Sequence, residues 1–131
     1  MTMGQAAAKR PIVLFVEDEL MLRHVIAKSL QDEGYDVWAA ADAAEAMSIL
    51  EQGCEPDLLF TDIRLPGLMD GWQLAEAARA ECPDIPIIYA TGYTDVEPRH
   101  VPNSFFLQKP YRISRVTQIA EQLGVPPRLA S

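Results

Sequence analysis

The chain predicts an α/β fold, a doubly wound five-stranded parallel sheet with helices on both faces, and three observations carry that reading. Five short apolar runs recur along the sequence, each too short for a helix. Helix-period segments alternate with them, which points to β-α-β crossovers and a parallel sheet. The runs are apolar at successive positions, as strands buried on both faces require.

The first run is Ile12-Val13-Leu14-Phe15-Val16. The helix after it places Leu22, Val25, Ile26, Ser29 and Leu30 on one inward face, and Gly34 stops it. Val37-Trp38-Ala39 forms the second strand. Asp42-Ala43-Ala44-Glu45 opens the next helix like a capping box, with Ala43, Ala46, Met47 and Leu50 inward and Gly53 at its end. Leu58-Leu59-Phe60 is the third strand. A third helix starts after Asp70, buries Leu74, Ala77 and Ala78, and stops before Pro83. Ile87-Ile88-Tyr89-Ala90 and Phe105-Phe106-Leu107 complete the sheet. Between them, Pro98 and Pro102 leave room for one helical turn, so a short or mobile fourth helix is expected there. The last helix runs from about Ile113 to Leu123, with Val116, Ile119, Ala120 and Leu123 inward and Gly124 as terminator. Met47 and the aromatic residues read as core filling. Strand order 2-1-3-4-5, the flavodoxin-like solution, follows as the common arrangement for five strands. It puts ligands beyond the carboxyl ends, at the switch point between strands one and three.

The 131 residues amount to one domain, expected over residues 11–124, with a flexible segment 1–10 before it and a tail 125–131 after it. Apolar residues make up 49% and charged residues 23%, which excludes intrinsic disorder for most of the chain. No apolar run approaches a membrane span, Met1 to Arg10 lacks a secretory stretch, and Ala8 breaks a myristoylation pattern. A cytoplasmic protein without membrane contact is therefore expected. With 11 Lys and Arg against 19 Asp and Glu, the net charge is −8. Such a domain gains nothing from counterion release, which disfavours nucleic acid as a partner. Cys54 and Cys82 have no metal-ligand spacing and read as free thiols.

Strand one ends in Glu17-Asp18-Glu19, strand three in Thr61-Asp62, strand four in Thr91, and strand five in Lys109-Pro110. The expected crevice thus receives three carboxylates, a hydroxyl and an ammonium. Two carboxylates ~4 Å apart repel by ~1 kcal/mol in water and several-fold more in a partly buried cleft. Gathering Glu17, Asp18 and Asp62 therefore calls for a cation, and hard carboxylate oxygens suit Mg²⁺. Lys109 can pair with a carboxylate or a phosphoryl oxygen, and Thr91 can donate one hydrogen bond to the same group. Asp62, alone at its strand end, is the natural nucleophile, and its attack on phosphorus gives an acyl phosphate. Glu19 reads as a helix N-terminal charge.

With these residues in place, the chain resembles the receiver domains of bacterial two-component response regulators. Glu17 and Asp18 match the family's acidic pair, Asp62 its phosphoacceptor, Thr91 its switch hydroxyl, and Lys109-Pro110 its Lys-Pro pair. Phe106 matches the aromatic switch position. Leu65-Pro66-Gly67-Leu68-Met69-Asp70-Gly71 resembles the loop after the phosphoacceptor, with one extra residue. The likeness runs from about Pro11 to Leu123. It implies Asp18 and Asp62 as direct Mg²⁺ ligands, Glu17 acting through water, the backbone carbonyl of Arg64 completing the set, and a cis Lys109-Pro110 bond. Pro86-Ile87-Ile88-Tyr89-Ala90-Thr91-Gly92-Tyr93 is similar to the signature of the single-domain FAT GUY regulators, which partner HWE or HisKA2-type sensor kinases. Ile87 and Tyr89 stand where that pattern has phenylalanines. Glu17 replaces the commoner Asp of the acidic pair, and the stretch from Thr91 to Lys109 is shorter than in chemotaxis-type receivers.

The resemblance implies a stand-alone phosphorylation switch. A phosphohistidine of a sensor histidine kinase or histidine phosphotransfer protein donates to Asp62 with Mg²⁺ required, and the receiver assists its own modification and hydrolysis without being an enzyme in the usual sense. Thr91 then moves to the phosphoryl group and Phe106 turns into the vacated space. Few residues follow the last helix, so the signal is expected to leave by protein contact, or the protein serves as a phosphate sink. Two other classes fit the residues less well. A phosphate-ester hydrolase needs a general acid, for which neither His24 nor His100 is well placed, and a phosphorylation-independent binding module has no use for all five site residues. A flavin site lacks a phosphate loop after strand one.

Overall fold

Nine elements follow one another along the chain: β1 (Ile12–Val16), α1 (Leu20–Glu33), β2 (Asp36–Ala40), α2 (Ala43–Glu51), β3 (Leu58–Asp62), α3 (Gly71–Glu81), β4 (Ile87–Thr91), β5 (Ser104–Gln108) and α4 (Ile113–Gln122). The computed structural model describes residues 9–53, 55–92 and 101–129. Most of the stretch expected to hold the short helix between the last two strands, residues 93–100 with His100, lies outside the described residues, as do Cys54 and residues 1–8. The strands form one parallel sheet in the order β2-β1-β3-β4-β5, as the alternation predicts.

Burial on both faces explains the unbroken apolar runs. Within β1, Leu14 and Val16 join one core cluster with α2 and α3, while Val13 and Phe15 join a second with α1 and α4. In β3, Leu59 faces the first cluster, and Leu58 and Phe60 the second. The Phe15 and Phe60 rings meet at 5.1 Å between centroids. The three inner strands follow this rule and the edges do not: Trp38 on β2 is 43% exposed, and Phe105 and Phe106 on β5 are half-buried. An edge strand lacks a neighbour on one flank, so its helices cover it incompletely.

The helices follow their caps. Asp42 accepts from the Glu45 N–H at 2.8 Å, but the Glu45 carboxylate takes the N–H of Ala41, one residue before the cap. The complete capping box stands at α3, where Asp70 and Gln73 each accept from the other's backbone N–H at 2.9 Å. Two inward assignments are corrected. Val25 is 56% exposed, because α1 buries the narrow stripe Ile26 and Leu30, with Leu22 and Ala27 beside it. Ala75 is buried on α3 where Ala77 is only half-buried.

Beyond α4 the chain folds back under the amino end of the sheet. Val125 is buried, and its carbonyl accepts from the Tyr35 hydroxyl at 2.7 Å. The Arg128 N–H donates to the Gly34 carbonyl at 2.9 Å. Gly34 has φ +120°, and a Cβ there would stand 2.7 to 2.9 Å from the Arg128 backbone, so glycine is required on both counts. At the other edge, Arg79 on α3 donates to the carbonyls of Ile85, Pro102 and Asn103, tying that helix to the approach to β5. Among the described residues, no helix is long and apolar enough to cross a membrane.

Candidate functional site

Strand register brings the polar residues to one edge. Asp62 lies opposite Ala90, and Thr91 opposite Gln108, so β1, β3, β4 and β5 deliver their last residues side by side. The Lys109 N–H donates to the Thr91 carbonyl at 2.7 Å, which extends the ladder to the lysine, and the Lys109–Pro110 bond is cis. The loop after β1 is pinned from α1, where the Arg23 guanidinium donates to the Glu17 carbonyl at 2.9 Å. Sequence reading passed over Arg23. Its signal was a cation one helical turn after an acidic triplet.

Glu17, Asp18 and Asp62 each offer a carboxylate oxygen, and these atoms lie within 4.8 Å of one another. Glu17 and Asp62 are 1% and 5% exposed, whereas Asp18 faces solvent. The Lys109 Nζ sits 2.9 Å from Glu17 Oε1 and 3.0 Å from Asp62 Oδ1, bridging the two buried acids. The other Glu17 oxygen accepts from the Glu19 N–H at 3.0 Å, so both oxygens of this acid are engaged within the protein. Glu19 itself caps α1 without a side-chain hydrogen bond. Asp18, Asp62, Arg64, Ala90, Thr91, Gly92 and Lys109 line a cleft of about 240 Å³. Phe106 is not among the residues that line this cleft and packs toward Trp72, with ring centroids 6.5 Å apart; Trp72 is buried against Tyr89 at 4.5 Å.

The electrostatics separate the two buried acids. Burial and the neighbouring Glu17 carboxylate push the Asp62 carboxyl up to about 7, against the pull of Lys109. Burial also opposes charge on Glu17, but the Glu19 N–H, Lys109 and its hydrogen bond with Asp62 outweigh it and hold Glu17 below the usual carboxylate value. Burial works against the Lys109 ammonium, yet its two carboxylate partners prevail and raise it. Tyr111, whose ring lies 5.4 Å from Phe60, is raised by burial and by the charges of Asp62 and Glu17. Two carboxylates share one ammonium, with a third carboxylate beside them. That surplus of hard oxygen donors fits a divalent cation of the Mg²⁺ kind.

Fold and site together define a phosphoacceptor signalling domain. The family model of the response regulator receiver domain matches residues 13–121, and the chain belongs to that family. Its fold is the CheY-like receiver fold, and receiver domains take their phosphoryl group from histidine kinases. A response regulator receiver protein from Sinorhizobium medicae is similar at 34% identity and a TM-score of 0.81, over 86% of this chain and 93% of that one. The sensor kinase CckA of Brucella abortus (strain 2308) is 35% identical over 116 residues, 85% of this chain and 12% of that protein. The response regulator TrrA from Thermotoga maritima, solved in complex with Mg²⁺-BeF, is similar at 26% identity and a TM-score of 0.77, over 86% and 98%. The chain spans 12%, 35% and 25% of the lengths of three curated relatives it matches.

Proposed function

We propose that Asp62 is the phosphoacceptor and that the cleft around it carries out Mg²⁺-dependent phosphoryl uptake. The observation that carries the reading is Lys109 bridging Glu17 and Asp62 at 2.9 and 3.0 Å with Asp18 alongside. An oxygen of the Asp62 carboxylate attacks the phosphorus of a phosphohistidine. The P–N bond breaks, and the imidazole leaves with its electron pair and takes up a proton. Asp18 and Asp62 would hold Mg²⁺ directly, with Glu17 acting through water and the Arg64 carbonyl completing the protein's share. When bound, the ion neutralises charge on the transferring oxygens, which is most of what phosphoryl transfer asks of a protein. The Lys109 ammonium would serve the same end, and the Thr91 hydroxyl would donate to a phosphoryl oxygen.

Uptake adds close to two negative charges beside Glu17. Lys109 and Thr91 are the groups that answer this change, and Phe106, on the strand beside that of Thr91 and packed toward Trp72 of α3, is the side chain that turns with Thr91. The modified receiver then signals by altered protein contacts, or drains phosphoryl groups as a sink. The chain acts as an acceptor and not as an enzyme on an outside substrate, and a kinase of the HWE or HisKA2 type fits the Ala90-Thr91-Gly92-Tyr93 end of its fourth-strand signature.

Acetyl phosphate tests the reading without a kinase. Wild-type protein gains one acid-stable, base-labile phosphoryl group when Mg²⁺ is present and none when it is chelated, and Asp62→Asn gains none. Uptake by Asp62→Asn at the wild-type rate would assign the nucleophile elsewhere.

A further inference from the structure

The glycine that opens α3 lies directly against the backbone of Asp62. A Cβ placed on Gly71 would overlap the Asp62 carbonyl oxygen, and would stand 2.7 Å from Ile63 Cα and 2.9 Å from the Asp62 carbonyl carbon. All three are backbone atoms, which cannot swing aside like the tip of a side chain. The φ of Gly71 lies outside the left-handed region. Conformation therefore does not demand glycine here, and the close approach does.

Both sides of this contact are held. The Gly71 N–H donates to the Ile63 carbonyl at 2.7 Å, and the Asp70–Gln73 capping box fixes the helix start. Trp72, the next residue, is locked in the core against Tyr89. From the sheet, the Thr61 hydroxyl donates to the Asp62 carbonyl at 2.9 Å and the Ile63 N–H to the Ala90 carbonyl at 2.9 Å. The Asp62–Ile63 peptide is thus clamped between β4 and the first turn of α3.

We infer that Gly71 is a positioning residue for phosphoryl uptake: by admitting α3 to the Asp62–Ile63 peptide, it sets where the Asp62 carboxylate stands relative to Glu17, Asp18 and Lys109. The inference rests on the reading of Asp62 as acceptor. A side chain at this position displaces the peptide, and a shift of ~1 Å at a reacting group costs on the order of 100-fold in rate.

The test compares Gly71→Ala with Leu50→Ala, a core truncation in α2, and with Asp70→Ala, which removes the helix cap and leaves the glycine. Urea titration gives the folded fraction of each. The maximal rate of uptake from acetyl phosphate is then measured per folded molecule at saturating Mg²⁺, and Mg²⁺ affinity by calorimetry. Gly71→Ala is expected to lose roughly 10- to 100-fold in maximal rate and to bind Mg²⁺ more weakly, while Leu50→Ala stays within about twofold in both. Folded Gly71→Ala with wild-type rate and affinity overturns the inference. If Gly71→Ala does not fold, Asp70→Ala decides: a loss of about threefold or more supports the inference, and an unchanged rate overturns it. Absence of uptake by the wild type, or uptake by Asp62→Asn at the wild-type rate, instead overturns the assignment of Asp62, and this inference with it.

Discussion

Replacing Lys109 by methionine removes the ammonium that bridges Glu17 and Asp62 while keeping an apolar stem of similar length. The two carboxylates then face each other without a cation, their nearest oxygens within 4.8 Å. At that distance the repulsion is about 1 kcal/mol in water and about 3 kcal/mol at an effective dielectric constant of 20. Burial of both acids favours the upper end, but Asp62, raised further once Lys109 is gone, escapes part of the repulsion by taking up a proton. At about pH 8 without Mg²⁺ the variant should therefore lose about 1–2 kcal/mol, on the order of 5 °C in melting temperature. The pH dependence follows from Asp62. Its carboxyl is already raised to about 7, and Lys109 was one of the groups holding it down. A raised carboxyl contributes stability at low pH that disappears as pH rises through the folded value. The deficit of the variant should therefore shrink to less than half by about pH 5.5, where Asp62 is protonated in both proteins, and added Mg²⁺ should stabilise the variant more than the wild type at about pH 8. Differential scanning calorimetry at the two pH values, with Mg²⁺ and with EDTA, measures all of this. Equal deficits at both pH values, with no extra gain from Mg²⁺, would refute the electrostatic account of the bridge.

Two further outcomes are expected. Tyr35→Phe leaves the buried Val125 carbonyl without its donor and should cost about 1–3 kcal/mol in urea unfolding. Because burial raises the Tyr35 phenol above its ordinary value of 10.0, its contribution is complete below that pH and is lost above it. The wild-type advantage over Tyr35→Phe should accordingly narrow on the alkaline side. Neighbouring residues of α1 should differ sharply: Ile26→Ala removes a buried side chain and should cost about 2–4 kcal/mol, whereas Val25→Ala should change stability by less than about 0.5 kcal/mol. Similar losses for the two would mean that α1 presents another face to the sheet.

The strands and the site were legible for one reason. In a parallel sheet, the residue that ends an apolar run also ends a strand, so Glu17, Asp62, Thr91 and Lys109 were marked by position as well as by type. What escaped depends on tertiary neighbours. Val25 satisfies the helical period as well as Ile26 does, and only the placement of α1 over β1 decides which is covered. Trp38 and Val37 look like the inner strands, but β2 is an edge. At Asp42 the motif suggested a reciprocal cap and the glutamate reached one residue too far, while the complete box at Asp70 depends on a glutamine whose partner could not be known beforehand. Nothing local to Gly71 announces that a carbonyl oxygen occupies the place of its missing side chain.

The fold-back beyond α4 bears on how the protein should be cut for experiments. The family match ends at residue 121, yet the Tyr35 hydroxyl finds its acceptor at Val125, and Gly34 is shaped to receive Arg128. A fragment trimmed to the matched stretch would strand a phenol in hydrocarbon and bare the underside of the second core cluster. Recombinant versions should therefore extend past Arg128, and a fusion partner joined before that point would be expected to soften the very scaffold it was meant to report on.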